Sequence, residues 1–343
     1  MRHLALRTLQ LSQVSSLSQL SSRRPLVTMS STSTGITERE KFEFDLNGFL
    51  VLRNVLSAEE VASANAAIDA HAAELQSRAP EPLRNAKRGT LHGADGPRLD
   101  MGGMIWWDKP HCDAFRRVLV HPKLIPYYEA LCGRGYRLDH QPLVVQQERN
   151  SEGFALHGGP IQASGAFSPE LQYRCGGGAL WTSLLAVSVQ LTDHGPGDGG
   201  FCVVRGSHKL NLPVPKAVAA GEDSAFADHL YSPVTRAGDV VIWSEATVHG
   251  ARPWVGAHQR RIALYRFAPA NMAYGRGYLE APAASLATMS ELERAVVEPP
   301  YGNRMERAYV TVEAAEAGEP PAKHTRSAEK KEHDARIFGT SYF

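Results

Sequence analysis

The spacing of apolar residues changes character partway along the chain. Near the start, Phe49-Leu50-Val51-Leu52 is a short apolar run after the turn-forming Asn47-Gly48, and it predicts a strand. Ser57-Ala58-Glu59-Glu60 follows as a capping box, in which the serine oxygen accepts from the third amide and Glu60 reaches back. An Ala-rich helix to about Leu75 is expected, with Val61, Ala64, Ile68 and Leu75 on its core face. Residues 76–110 are rich in Gly, Pro and Arg without a period, which marks a functional or disordered loop. Ala114 to Leu131 predicts a helix cut by Pro122 and Pro126 and ended by Gly133.

From Tyr136 the pattern becomes strand-like. Leu138–Gln147 alternates imperfectly, and Phe154–His157 runs into the break Gly158-Gly159-Pro160. Leu180–Leu191 is apolar enough for a central strand, Phe201–Val204 returns after a Gly-rich turn, and Gly238–Thr247 and Arg261–Phe267 complete the set. Helices early and short strands with Gly/Pro turns later predict a mainly β protein with flanking helices, built as a barrel or jelly roll. Met289–Val297 reads as a short helix begun by Ser290-Glu291. One folded domain is expected over 38–315, with 316–343 as a mobile tail whose closing Ile337-Phe338 and Tyr342-Phe343 could dock.

Composition narrows the classes. The 343 residues are ample for a sizeable core, and 43% hydrophobic with 21% charged is ordinary for a globular protein. A net charge of +1 gives no reason to expect nucleic acid or an anionic membrane as partner. No apolar run reaches the roughly 18 residues of a membrane span. Cys112, Cys132, Cys175 and Cys202 lack CxxC spacing, so buried free thiols are expected rather than a disulfide framework. Before Glu38 no acidic residue occurs, while Arg2, Arg7, Arg23 and Arg24 punctuate a Ser- and Leu-rich stretch. Residues 1–37 therefore read as a mitochondrial or plastid transit peptide or, failing that, a plain disordered tail on a cytoplasmic protein. Oligomeric state leaves no mark in the sequence.

The stretch from Gly238 to Phe267 carries candidate chemistry. It reads as a strand ending on His249, a turn, and a return strand opening on Arg260-Arg261. A histidine at a strand end can hold a metal, and an arginine on the partner strand can hold a carboxylate beside it. Of the 14 histidines, His157 and His249 rise above the rest because each ends an apolar strand next to glycine. Trp106-Trp107 are either core or a wall of the substrate pocket.

These features together resemble a known family. Phe44-Asp45-Leu46-Asn47-Gly48-Phe49-Leu50-Val51-Leu52, the Ser57 helix, His157, Gly199-Gly200-Phe201 leading to Gly206-Ser207-His208-Lys209, Gly238–Ile242, and His249 with Arg260 are similar to the phytanoyl-CoA dioxygenase family of iron(II)/2-oxoglutarate oxygenases. The resemblance spans about residues 40–300 and implies a double-stranded β-helix, or jelly-roll (cupin-like), core. It implies iron(II) and 2-oxoglutarate as cofactors, O2 as co-reactant, and hydroxylation of a small or lipid-like organic substrate. By that resemblance His157 and His249 are iron ligands. Arg260, eleven residues after His249, anchors 2-oxoglutarate, and Gln141 contacts the cosubstrate. Arg261 points to the opposite strand face, and the Gly-Ser-His turn at 206–208 is structural.

One departure stands out. The family pattern is His-x-Asp, whereas this chain reads His157-Gly158-Gly159. Halogenases of the superfamily carry a small residue there, with halide in the vacancy. Alternatively another carboxylate serves. Glu245 precedes His249 by four residues, about 13 Å along an extended strand and out of reach unless the chain bends; Asp193 and Asp198 are further candidates. A third alternative is a weakly metallated or degenerate binding protein. Ala251 also replaces the small hydroxyl residue the family often has after the distal histidine.

Overall fold

The structure is a computed structural model that describes residues 35–80, 89–93, 96–275, 277–301, 307–323 and 326–339. The expected transit peptide and the closing Tyr342-Phe343 lie outside the described residues. The major sheet runs in spatial order β1 (Phe49–Leu52), β12 (Val240–Ser244), β9 (Leu185–Gln190), β14 (Arg260–Ala268), β5 (Leu143–Gln147), β3 (Leu99–Gly102) and β2 (Gln76–Ser77), with β4 (Arg137–Leu138) also on β14. The minor sheet runs β11 (Leu230–Tyr231), β10 (Gly200–Val204), β13 (His249–Arg252) and β6 (Phe154–His157). A hairpin of β7 (Tyr173–Gly176) and β8 (Ala179–Thr182) stands apart. All these pairings are antiparallel, and the two sheets form a jelly roll.

Alternation along β14 shows how the sequence divides the two faces. Arg260, Ile262, Leu264 and Arg266 face a cavity between the sheets. Ala263, Tyr265 and Phe267 join the main apolar core on the other side. That core also takes Val144 from β5, Val187 and Val189 from β9, and Val240 and Ile242 from β12. Helices α1 (Glu38–Asn47), α2 (Ala58–Ala70), α3 (Asp113–Leu119), α4 (Ile125–Cys132) and α7 (Glu291–Val297) contribute Phe44, Ile68, Phe115, Tyr128 and Val296 to it. The capping boxes expected at Ser57 and begun at Ser290 both form, with Glu60 and Glu293 reaching back to the cap amides. Helix α2 stops at Ala70 and passes through a single 3-10 turn, so it is shorter than the apolar spacing suggests. Outside the minor sheet, Leu91, Leu156, Cys202, Val218, Leu230 and Val248 make a second, smaller core. All four cysteines are free, and Cys175 differs from the expectation in being exposed.

Two features differ from the sequence reading. Residues 316–343, expected as a tail, include the end of a helix at Val312–Ala317 and another at Ala328–Phe338. The second is capped by Ser327, and its Asp334 pairs with Arg326 and Lys330, both at 2.7 Å. Ile337 and Phe338 on it are largely exposed. The second difference lies between Ser244 and His249. The apolar run does not end on His249: β12 stops at Ser244, the chain turns, and His249 opens β13 in the other sheet. The stop is imposed by groups distant in sequence. Gly48 accepts from the Ser244 amide at 3.1 Å and from Thr247 Oγ1 at 3.0 Å. Ser207 Oγ accepts from the Val248 amide at 2.7 Å, which gives the Gly206-Ser207-His208 turn its structural role.

Gly48 ends helix α1 in the left-handed region, at φ 83°. A Cβ there would meet Thr247 Oγ1 and come within 2.6 Å of His208 Nδ1. Gly48→Ala is therefore expected to destabilise the fold by about 2 kcal/mol or more, from backbone strain and collision together. Urea unfolding checks this; an unchanged midpoint and slope would contradict the account of the turn.

Candidate metal centre

His157 and His249 are direct cross-strand partners at the junction of β6 and β13. Their ring centroids lie 4.2 Å apart. Plain alternation would put Phe154 and His157 on opposite faces, yet both line the cavity. The register explains this: three steps along β6 match two along β13, a β-bulge between His249 and Ala251. His157 Nδ1 lies 3.0 Å from Ala155 O, and His249 Nδ1 lies 2.8 Å from Thr247 O. Carbonyl oxygens only accept, so each Nδ1 carries the hydrogen and each Nε2 is left as the ligand atom.

The turn after β12 brings a carboxylate to the same place. Glu245 Oε2 is 3.5 Å from His249 Nε2, and Oε1 accepts from Arg266 Nε at 2.8 Å. One ligand atom each from His157, Glu245 and His249 lie within 4.8 Å of one another, the metal-compatible cluster found among the described residues. Burial by itself would raise the Glu245 pKa, but Arg266 and then the two histidines outweigh it and bring it down to about 2. Burial, with His157 beside it, brings His249 down to about 3. Desolvation likewise lowers His157, although the residue as a whole is exposed. At neutral pH the site therefore presents two neutral imidazoles and one carboxylate, a donor set that suits iron(II) and related divalent ions.

Arg260 lies in the same cavity, which measures about 120 Å³. It is 3% exposed and donates through Nη1 to Gln147 Oε1, while its buried Nε has no hydrogen-bond partner. No carboxylate pairs with it among the described residues. Burial, with Arg98 nearby, lowers its pKa to about 9, so it stays charged at neutral pH. Gly200, at φ 74°, makes room for this side chain: a Cβ there would lie 2.8 Å from Nε. Arg261 points the other way, to Asp69 at 2.6 Å on α2.

The remaining expectations fare differently. Gln141 is exposed beside Gly102 and does not line the cavity, because it sits in the turn before β5 rather than on an inward strand position. The glutamine beside Arg260 is instead Gln147, which braces its guanidinium. Trp107 is not a pocket wall either. It is in the helix-side core, stacked on His71 at 3.8 Å and edge-on to Phe115. Trp106 packs against that same core, and the tryptophan that does line the cavity is Trp243. Asp193 and Asp198 cap backbone amides of Ala237 and Gly195. The inward phase of Trp243, two residues before Glu245, was the available sequence signal for the aromatic wall.

The family described as phytanoyl-CoA dioxygenase matches residues 44–262. No curated protein matches the chain. Solved structures of HygX from Streptomyces hygroscopicus share the architecture. The form with nickel, 2-oxoglutarate and hygromycin B bound is 20% identical, with a TM-score of 0.56 over 81% of this chain and 99% of that one. The iron-bound form is 22% identical, with a TM-score of 0.54 over 73% of this chain and 94% of that one. Likeness at this identity speaks for the fold.

Two buried histidines beside the site give a pH dependence. His208 Nε2 bonds Asp45 O at 2.9 Å, and burial, helped by Lys209, lowers its pKa to about 4. Burial, with Arg260 and His258 adding repulsion, puts His194 well below its ordinary value. Unfolded histidine titrates near 6.5, so below that the unfolded chain binds more protons than the folded one. Stability should be full above about pH 6.5 and fall as pH drops toward 4, by up to about 3 kcal/mol from His208, with His194 adding in the same direction. Metal-free urea unfolding between pH 7.5 and 4.5 tests this; a flat or opposite trend contradicts it.

Proposed function

The chain belongs to the phytanoyl-CoA dioxygenase family, and on that footing we propose that it is an oxidoreductase using iron(II), 2-oxoglutarate and O2 to oxidise, by hydroxylation, a small or lipid-like organic substrate. The observation that carries this reading is Arg260. A buried guanidinium with an orphaned Nε and no internal counter-ion is costly unless an external anion completes it. It faces the same cavity as His157 and His249. A dicarboxylate satisfies both features, one end on the guanidinium fork and the other toward the metal. Structures of HygX hold nickel and 2-oxoglutarate, which agrees with that pairing.

The residues present fit both groups. His157 and His249 would hold the metal through Nε2, each fixed by its Nδ1–H bond to a backbone carbonyl. Arg260, braced by Gln147, would bind and orient the distal carboxylate of 2-oxoglutarate. Phe154, Phe201, Trp243, Ile262 and Leu264 line the cavity and keep water from the reacting atoms. The metal, when bound, supplies the redox chemistry that couples oxidative decarboxylation of 2-oxoglutarate to succinate with oxidation of a substrate C–H bond. The substrate would approach beside His157, the exposed member of the cluster.

Titration calorimetry of 2-oxoglutarate against Mn(II)-loaded protein tests the anchor. Arg260→Ala should weaken binding at least about thirtyfold, the cost of losing one partner of a buried charged pair. Arg261→Ala, which loses links to Asp69, Asn65 and Gln259 outside the cavity, should leave binding within about threefold. Equal losses would contradict the facing of β14, and absence of 2-oxoglutarate binding by the unaltered protein would contradict the function.

A further inference from the structure

We infer that Glu245 supplies the carboxylate ligand that position 159 lacks, so that the metal is held by His157, His249 and Glu245. The inference rests on the reading of this cavity as a metal site, and it relocates one ligand from the loop after β6 to the turn after β12.

Three observations carry it. The first is convergence. Both imidazoles are held with Nδ1–H on backbone carbonyls, so their Nε2 atoms face the cavity as acceptors. Glu245 Oε2 faces them at 3.5 Å from His249 Nε2, while its other oxygen is occupied by Arg266. Donors bound cis at 2.0–2.2 Å from one ion lie about 3 Å apart. The His249–Glu245 spacing is close to that, all three ligand atoms lie within 4.8 Å of one another, and a cation between them would satisfy all three. The second is rigidity. Glu245 is 5% exposed, its amide donates to Leu184 O at 3.0 Å, and the turn that carries it is tied to Gly48 and Ser207. Arg266 orients the carboxylate for one-oxygen coordination, as outer partners of ligating carboxylates do.

The third observation concerns the two glycines themselves. Gly158 and Gly159 have φ of 85° and 97°, a region that side chains rarely adopt. A Cβ on Gly158 would lie 2.6 Å from Thr247 O and 2.7 Å from Glu245 O. The loop after His157 is thus pressed against the backbone of the Glu245 turn, and only glycine permits that approach. Gly158 makes the room that the turn occupies, and Gly159 beside it, where a Cβ would lie 3.3 Å from Val248 Cγ2, continues the same left-handed backbone. Position 159 is then no ligand vacancy awaiting a halide.

Cobalt(II) titration followed by its visible absorption reads the ligand set without turnover. The unaltered protein should bind one Co(II), with no dependence on chloride. Glu245→Gln keeps the length and the acceptor for Arg266 but loses the charged donor, so Co(II) affinity should fall about a hundredfold or more; circular dichroism confirms that the variant is folded. Equal affinity in the two proteins would overturn the role of Glu245 while leaving the two-histidine site intact. Chloride-dependent binding that persists in the variant would also overturn it, in favour of a halide. No Co(II) binding by the unaltered protein would overturn the metal-site reading and this inference with it. Should Glu245→Gln fail to fold, crystals of the unaltered protein soaked with Mn(II) decide. An anomalous peak about 2.2 Å from a Glu245 oxygen is expected, and a peak on the histidines alone overturns the assignment.

Discussion

Everything at the site depends on how the chain crosses from one sheet to the other between Ser244 and His249. Four residues carry it out of β12 and into β13, and backbone that would otherwise extend about 13 Å is folded on itself. The bonds that impose the crossing come from Gly48 at the start of the fold and Ser207 after β10. The N-terminal helix, the Gly-Ser-His turn and the metal-facing residues are therefore one mechanical unit. His249 takes its place opposite His157 only because the turn delivers it to the neighbouring strand in the right register.

Charge organises the cavity as firmly as geometry does. Three guanidiniums line it. Arg98 is neutralised by Asp100 and Arg266 by Glu245, at 2.7 and 2.8 Å. Arg260 alone keeps an unmet positive charge, and the fold commits Gln147 and Gly200 to holding it in place. No carboxylate among the described residues reaches Arg260, so an anion from outside, as in the proposed 2-oxoglutarate binding, would complete it. The aromatic and aliphatic walls lower the local dielectric, which sharpens that demand.

Much of this was legible in the sequence, for identifiable reasons. Capping boxes are local, so Ser57 and Ser290 announced their helices. Strand alternation is local too, and it separated Arg260 from Arg261 correctly. The jelly-roll class followed from many short strands punctuated by glycine. What sequence could not carry was contact between distant segments. Glu245 is out of reach of His249 on any extended strand, and the groups that bend the chain lie about 40 and 200 residues away. Gln141 was placed by its offset from His157, but the turn before β5 points it outward. Trp106 and Trp107 carry the composition of a pocket wall, yet helices α2 and α3 draw them into the core behind the major sheet.

The pressing of Gly158 against the Glu245 turn also has an evolutionary meaning. An aspartate reintroduced at position 159 would have to adopt φ 97°, which side chains rarely take, with Val248 Cγ2 only 3.3 Å from its Cβ. Glutamate lost from position 245 would leave Arg266 uncompensated. The two positions are therefore coupled: moving the carboxylate from one to the other takes two changes, and each alone carries a cost, backbone strain at 159 or an unpaired guanidinium at Arg266.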